Sequence, residues 1–317
     1  MRAVFLDYAT VSAGDLDPGP LQRALPGIVL HEVSTQQQVV ERAQGTAVLL
    51  VNKLQIDRNV MDATPSLRVI GLTATGTNNV DLAAARERGI AVCNIRDYCT
   101  PSVAQHVLGS ILALTHRYAD YTRLAREQWG QSPHFTMLDY PIRELRGRVL
   151  GVVGWGVLGQ AVARACESAL GMRVLVAQRA GGEPAPDRVP LQALLPQVDV
   201  LTLHCPITPQ TQGLIGRAQL ALMKPDALIV NTARGALIDI EALADALRGG
   251  RLGGAAIDVL PQEPPVDGSP LFATDLPNLI LTPHTAWAAR ESRQRAIDEI
   301  AANVADCLAG GQRGRVV

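Results

Sequence analysis

The turn at 154–159, GWGVLG, is the first part of this sequence whose residue types and spacing indicate chemistry. It follows the apolar run RVLGVV and opens the helical pattern QAVARACESAL, so it joins a predicted strand to a predicted helix. There Gly154 permits a tight turn, Gly156 lets backbone approach a pyrophosphate, and Gly159 lets the helix pack on the sheet. The helix amino end at Val157 and Leu158 adds N–H groups and a positive dipole. We expect a dinucleotide site, although a turn without a ligand can show the same pattern.

The end of the next strand bears on which dinucleotide binds. An acidic residue about 20 positions after such a loop commonly holds the adenosine ribose of NAD, but here the strand ends with Gln178 and Arg179. Gln178 can hydrogen-bond a ribose hydroxyl without repelling a phosphate, and Arg179 can pair with a 2′-phosphate. Arg179 can equally be a solvated loop residue, so NAD and NADP both stay open.

Three later segments each end a predicted strand with polar residues: NTARGALID at 231–239, IDVLPQEPP at 257–265 and LTPHTAW at 281–287. Ligands bind at the carboxyl ends of strands in open parallel sheets. The segments carry Arg234, Glu263 and His284 respectively. Taken singly, each has an ordinary interpretation as a surface charge, a turn residue or a loop histidine.

The strands that would position these residues form two series of short apolar runs alternating with helical spacing. The first runs lie at 3–8, 27–33, 47–52, 68–74 and 90–95, and the second at 148–154, 172–178, 198–205, 227–233, 253–260 and 278–284. Near-continuous apolar strands are typical of parallel sheets covered on both faces. A helical stretch at 102–129, expected to be buried on both faces, lies between the series, and the chain ends with a helical segment at 290–308. We predict an α/β protein of two parallel-sheet domains with a boundary near residue 100.

Length and composition narrow the classes of protein. A chain of 317 residues suggests about two domains. Its formal charge of −1 supplies no basic field for nucleic acid. Its five cysteines form no C-x-x-C pair, so we expect reduced thiols in the cytoplasm and no metal site. No apolar run is long enough to span a membrane.

Taken together, these motifs resemble the D-2-hydroxyacid dehydrogenases, which use NAD(P) to interconvert 2-oxo acids and D-2-hydroxy acids. The resemblance covers essentially the whole chain and includes LHCPITPQTQGLI at 203–215 and MKPDALIVNTARGALID at 223–239. TATGTNNVDLAAARERGIAVCNIRDYCTPSVAQHV at 73–107 and the His-x-x-Trp ending are most similar to bacterial glycerate dehydrogenases, also called hydroxypyruvate reductases.

The resemblance implies three catalytic roles. Arg234 binds the substrate carboxylate and polarises its carbonyl, His284 donates and accepts the proton, and Glu263 is the partner of His284. These types suit the reaction, because a guanidinium fork fits a carboxylate bidentately and a carboxylate beside an imidazole favours its charged form. Hydride addition leaves charge on oxygen, which a nearby imidazolium neutralises.

It also implies further contacts with cofactor and substrate. On the cofactor side these are Cys205 and Pro206 near the adenine, Thr211 in the loop that follows, Thr232 and Ala233 along the nicotinamide ribose, and Asp258 at the carboxamide. On the substrate side they are the backbone of Ala74, Thr75 and Gly76, with Lys53 and Trp287 as further candidates. Lys53 can instead be a solvated lysine at a strand end.

We therefore expect a flavodoxin-like substrate domain at 1–99 plus 290–317, a Rossmann-like NAD(P)-binding domain at 100–289, and a cleft between them. The expected reaction is reduction of hydroxypyruvate, and of glyoxylate, to the D-2-hydroxy acid (D-glycerate from hydroxypyruvate) in a cytoplasmic homodimer. The loop at 134–140 is expected to shape the pocket across the dimer interface. Phosphoglycerate, D-lactate and phosphite stay open as other substrates, and so does a non-catalytic dinucleotide sensor; Glu263 argues against a formate dehydrogenase, which resembles a pattern with Gln there.

Overall fold

The computed structural model describes residues 1–317, which divide into two compact units. The first unit comprises Met1–Cys99 and Trp287–Val317, and the second is Thr100–Ala286. The second crossing thus lies three residues before the boundary at 289–290 expected from the sequence. None of the helices combines the length and apolarity needed to cross a membrane.

The first unit contains a parallel sheet of five strands in the order β2-β1-β3-β4-β5. Its strands are β1 Ala3–Phe5, β2 Val29–Leu30, β3 Val48–Val51, β4 Val69–Leu72 and β5 Ala91–Cys93. Its helices are α1 Gly19–Ala24, α2 Val39–Ala43, α3 Arg58–Asp62, α4 Leu82–Glu87 and α11 Arg290–Leu308, with single 3₁₀ turns at Tyr8–Thr10 and Gln36–Gln38. The order 2-1-3-4-5 is the flavodoxin-like one, so the predicted fold of this part is confirmed.

Hydrophobic cores on both faces hold this sheet. On one face, alternate residues of β1, β3 and β4 pack with Ile297, Ile300 and Val304 of α11. On the other face, their neighbours pack with α2, α3 and α4. Because both faces are covered, the strands are apolar at nearly every position, which is why the sequence showed runs rather than alternation.

The second unit contains a parallel sheet of six strands in the order β11-β10-β9-β8-β6-β7. The strands are β6 Val149–Val153, β7 Arg173–Val176, β8 Val200–Leu203, β9 Leu228–Asn231, β10 Gly254–Ile257 and β11 Leu279–Leu281. A one-residue parallel bridge between Ala177 and Val189 extends the sheet beyond β7. With that bridge counted as a strand, the order is 3-2-1-4-5-6-7, whose first six strands have the 3-2-1-4-5-6 order of dinucleotide-binding folds.

Helices cover both faces of this second sheet. They are α5 Thr100–Thr115, α6 Tyr118–Glu127, α7 Val157–Leu170, α8 Leu191–Leu194, α9 Arg217–Leu222 and α10 Ile240–Arg248, with 3₁₀ turns at Trp129–Gln131, Leu195–Gln197, Gly235–Leu237 and Pro270–Phe272. The expectation of one continuous helix at 102–129 was wrong, because the chain breaks at Arg117, whose φ of +54° is left-handed. The side chain of Arg117 stabilises this break by bonding Asp120 at 2.7 Å. One face of α5 is buried, while its opposite face is only partly covered.

Candidate active site

The glycine turn after β6 has the shape that a phosphate needs. Gly154 has φ +99°, and a Cβ there would lie 2.5 Å from the backbone carbon of His204. A Cβ on Gly159 would lie 2.1 Å from the carbonyl oxygen of Gly154, whereas a Cβ on Gly156 would meet nothing within 4 Å. Two glycines therefore allow the turn to close, and the third leaves open space at the N-terminus of α7, which begins at Val157. The residues fit a pyrophosphate at this place.

The end of β7 offers a neutral amide and an unpaired guanidinium. The backbone N–H of Gln178 donates to Val189 at 2.8 Å, and its side-chain Nε2 donates to the carbonyl of Gly182 at 3.2 Å. The Gln178 side-chain oxygen is thereby left for a ribose hydroxyl. Arg179 is exposed and forms no ion pair, and the nearby Arg188 guanidinium lies 5.4 Å from the Trp155 ring centre. This edge accommodates either a hydroxyl or a phosphate at the 2′ position.

The loop after β8 is braced by its own side chains. The hydroxyl of Thr211 donates to the carbonyl of Pro206 at 2.8 Å and accepts from the N–H of Thr208 at 2.7 Å. Thr211 therefore holds the shape of this loop, and its expected contact with the cofactor stays a prediction. Cys205 is half-buried, and burial raises the pKa of its thiol, as suits a lining residue rather than a nucleophile.

The turn after β9 is built to present Arg234. The buried Asn231 accepts from the N–H of Ala233 at 3.0 Å and donates to the carbonyl of Arg234 at 2.9 Å. The exposed Arg234 guanidinium bonds only the carbonyl of Ala233, at 2.7 Å, and has no carboxylate partner. The buried hydroxyl of Thr232 has no hydrogen-bond partner in the chain, so a bound ligand could satisfy it.

Tight packing joins this turn to the loop after β10. A Cβ on Gly235 would lie 2.0 Å from the backbone carbon of Leu260, so only glycine allows the two backbones to touch. The roles of Asn231 and Gly235 were not predicted from the sequence. The glycine directly after Arg234 was the available signal.

The loops after β10 and β11 bring together His284, the predicted proton donor and acceptor, and Glu263, its predicted partner. His284 Nδ1 lies 2.6 Å from Glu263 Oε2, and the side chains are 30% and 35% exposed. Glu263 Oε1 also accepts from the N–H of Leu260 at 2.8 Å, which fixes the carboxylate. Because Nδ1 is directed at Glu263, Nε2 is the ring nitrogen of His284 that can exchange a proton with a substrate.

Asp258 holds the loop that carries His284. Its carboxylate is buried and accepts from the N–H groups of Thr285 and Ala286 at 2.8 and 2.9 Å and from the hydroxyl of Thr282 at 2.5 Å. Its carbonyl accepts from the N–H of His284 at 2.8 Å, and His284 has a left-handed φ of +55°. These bonds offset the strain of that conformation. The expected contact of Asp258 with a carboxamide stays a prediction, while its role in the loop was not foreseen.

The substrate-side candidates of the first unit follow β3 and β4. The buried carboxylate of Asp7 accepts from the N–H groups of Asn52, Lys53 and Leu54 at 2.9, 2.7 and 3.3 Å, which fixes the backbone at Lys53. Burial raises the pKa of Asp7, although these bonds act in the opposite direction. The N–H groups of Ala74, Thr75 and Gly76 donate to no acceptor in the chain, as an anion nest requires.

Trp287 begins the second segment of the first unit. Its ring packs edge to face on Tyr98, with centroids 6.2 Å apart, and joins the core beneath α11. A role in shaping the pocket stays a prediction for Trp287.

Comparison with known proteins gives the family. Residues 108–286 match the model of "D-isomer specific 2-hydroxyacid dehydrogenase, NAD binding domain". The chain is 44% identical to a glycerate dehydrogenase of Methylorubrum extorquens over 87% of each chain. It is 36% identical to a hydroxypyruvate reductase of Blautia hydrogenotrophica over 98% of each chain. The crystal structure of the TT0316 protein from Thermus thermophilus superposes with a TM-score of 0.87 at 36% identity, covering all of both chains.

Proposed function

Because the chain belongs to the D-isomer specific 2-hydroxyacid dehydrogenase family, we propose that it reduces hydroxypyruvate to D-glycerate and accepts glyoxylate as a second substrate. The enzyme class is that of the family, an NAD(P)-dependent oxidoreductase acting on CH–OH donors. The hydroxypyruvate assignment is supported by the relatives at 44% and 36% identity, whose names are glycerate dehydrogenase and hydroxypyruvate reductase. The observation that carries the chemistry is the 2.6 Å pair of His284 and Glu263.

Three side chains have defined roles in the proposed reduction. The exposed guanidinium of Arg234 binds the substrate carboxylate, since it has no other carboxylate partner. His284 donates a proton from Nε2 to the oxygen on which charge develops, and Glu263 stabilises the imidazolium before that transfer. The hydride comes from a reduced nicotinamide dinucleotide when one is bound. In the oxidative direction His284 accepts the proton instead.

We also propose that the second unit is the cofactor domain and the first unit the substrate domain. The open position at Gly156 and the unpartnered Thr232 hydroxyl support a dinucleotide in the second unit. The free N–H groups of residues 74–76 support an anion site in the first. Because Gln178 and the unpaired Arg179 fit both ribose forms, we expect NADH and NADPH both to work. The five free cysteines support a reducing, cytoplasmic location.

We propose that the protein is a homodimer, because the connection after α6 carries several exposed apolar side chains. Phe135 and Leu138 are 91% and 83% exposed, and Trp129 and Ile142 are each more than half exposed. A second copy would bury this surface. Light scattering should show that a double variant with Glu in place of both Phe135 and Leu138 is a monomer. A wild-type protein that is itself a monomer would contradict the proposal.

The initial rate of reduced-cofactor oxidation with hydroxypyruvate tests the proposed function, run in parallel with NADH and NADPH. His284→Asn is the control, because Asn tolerates the left-handed backbone at this position better than Ala. A rate that depends on His284 supports the proposal. A folded protein that binds a dinucleotide but shows no rate with hydroxypyruvate or glyoxylate would refute it.

A further inference from the structure

The loop at residues 74–76 of the first unit is held from behind through its carbonyl groups. The N–H of Ile95 donates to the carbonyl of Ala74 at 3.4 Å, and Nδ2 of Asn94 donates to the carbonyl of Thr75 at 2.7 Å. Both donors belong to residues that directly follow β5, and β5 is the neighbour of β4 in the sheet. The two peptide planes that follow Ala74 and Thr75 are therefore both fixed from the β5 side.

Fixing these carbonyls also fixes the direction of the N–H groups. In a planar trans peptide the C=O and the next N–H point in opposite directions. Because the carbonyls of Ala74 and Thr75 point toward β5, the N–H groups of Thr75 and Gly76 point away from it. They are the groups that donate to no acceptor in the chain.

Asn94 is itself held in place by buried polar contacts. It is 4% exposed; its N–H donates to the carbonyl of Gly314 at 2.9 Å, and its carbonyl accepts from Nδ2 of Asn303 at 2.8 Å. Asn303 is 1% exposed and accepts from Nε of Arg313 at 2.8 Å. A continuous series of hydrogen bonds thus runs from the carboxyl-terminal segment through α11 and β5 to Thr75.

The unused atom of Asn94 shows which part of its side chain the position needs. Its Oδ1 is buried without a hydrogen-bond partner, an arrangement that lowers stability. An apolar residue would avoid that loss but could not hold the carbonyl of Thr75. The donor group is therefore what an amide contributes here.

We propose that Asn94 is a positioning residue for the substrate carboxylate. It orients the peptide between Thr75 and Gly76, and so aims the N–H of Gly76 at the anion. The inference rests on the proposed function, because it assigns the substrate to the same loop. Asn94 does not touch the reacting atoms, so its effect should fall on substrate binding and leave the chemical step and the cofactor unaffected.

Asn94→Ala tests this, with Asn278→Ala as the matched control. Asn278 also donates through Nδ2 to backbone carbonyls, at 3.3 and 3.4 Å from Leu252 and Gly253, and its Oδ1 is likewise buried without a partner. Asn278 lies in the second unit just before β11, at the opposite end of that strand from His284. The two variants therefore remove the same kind of contact, and only one of them faces the loop at 74–76.

Four quantities are measured for each variant: KM and kcat for hydroxypyruvate, the Kd of NADH, and the Kd of oxamate, an unreactive carboxylate analogue, in the presence of NADH. In Asn94→Ala, KM and the oxamate Kd should rise about tenfold or more, while kcat and the NADH Kd stay within threefold of wild type. Asn278→Ala should leave all of them within threefold. An Asn94→Ala enzyme with unchanged KM and oxamate Kd, or one that loses kcat alone, overturns the proposal.

Asn94→Asp is the second variant if the alanine protein does not fold. It keeps the size of the side chain and replaces the donor with an acceptor facing the carbonyl of Thr75, so the same rise is expected, and an unchanged oxamate Kd overturns the proposal. Failure of the proposed function is recognised separately, because wild-type enzyme would then show no turnover of hydroxypyruvate or glyoxylate.

Discussion

Replacing Glu263 with Gln tests whether the carboxylate maintains a proton-donating His284. In the native structure one oxygen of Glu263 faces His284 Nδ1 at 2.6 Å, and the other accepts from the N–H of Leu260 at 2.8 Å. A glutamine has one oxygen for these two donors. If that oxygen stays on Leu260, an NH₂ group faces Nδ1 and opposes the doubly protonated ring. If it turns toward His284, the NH₂ group faces the N–H of Leu260. Either orientation disfavours the imidazolium that reduction requires.

The size of the effect follows from the contact and its exposure. Hydrogen bonds that involve a charged group contribute about 1.5–3 kcal/mol. The two side chains are 30% and 35% exposed, so solvent screening favours the lower half of that range. At about 1.4 kcal/mol per tenfold in rate, kcat/KM for hydroxypyruvate should fall about 10- to 40-fold.

Steady-state rates of NADH oxidation measure this loss, and titration with NADH in the absence of substrate shows whether the cofactor still binds. Asp267→Asn is the matched control, because it removes the same charge from an exposed residue four positions along the same loop that forms no ion pair. Asp267→Asn should stay within twofold of wild type. If Glu263→Gln also stays within threefold while folded, the proposed role of the pair in proton transfer is wrong.

Three further predictions concern the substrate, the cofactor and stability. Arg234→Lys keeps the charge but loses the planar fork, so steady-state kinetics should show KM for hydroxypyruvate raised about tenfold or more with the Kd of NADH little changed. Gln178→Asp places a carboxylate at the ribose edge, so the ratio of kcat/KM with NADH to that with NADPH should rise about tenfold or more; an unchanged ratio would show that Gln178 does not face the ribose. Burial lowers the pKa of His204 to about 4, below the unfolded value of about 6.5, so the unfolded chain takes up the proton first as pH falls. The free energy of unfolding should therefore drop by about 2 kcal/mol from this group between pH 7 and pH 5, and urea titrations of His204→Gln should lack that part of the drop.

Much of the fold could be predicted from the sequence because strands and turns depend on residues that are close together in the chain. Each of the eleven strands lies within an apolar run identified from the sequence, since a strand covered on both faces must be apolar along its length. The strand–turn–helix context of the glycine turn likewise depends only on neighbouring residues. The break at Arg117 was missed because no glycine or proline marks it.

The residue types at the site were available from the sequence, but their partners were decided by tertiary structure. Glu263 and His284 are 21 residues apart and meet because β10 and β11 are parallel neighbours with Ile257 opposite Leu281. The same register brings Asp258 to the loop that carries His284. Polar contacts of this kind leave no periodic trace, because a single hydrogen bond between distant segments depends on strand order and register.

The sequence by itself determined the alternation of strands and helices, the phosphate turn and the presence of an arginine, a glutamate and a histidine at strand ends. Only the tertiary structure decided that Asn231 holds the turn of Arg234, that Asp258 holds the loop of His284, and that Asn94 orients the peptide between Thr75 and Gly76. Hydrophobic burial constrains every residue of a strand or helix, so it produces a periodic pattern of apolar residues in the sequence. A buried amide or carboxylate acts at one point, and its partner is known only when the chain has folded.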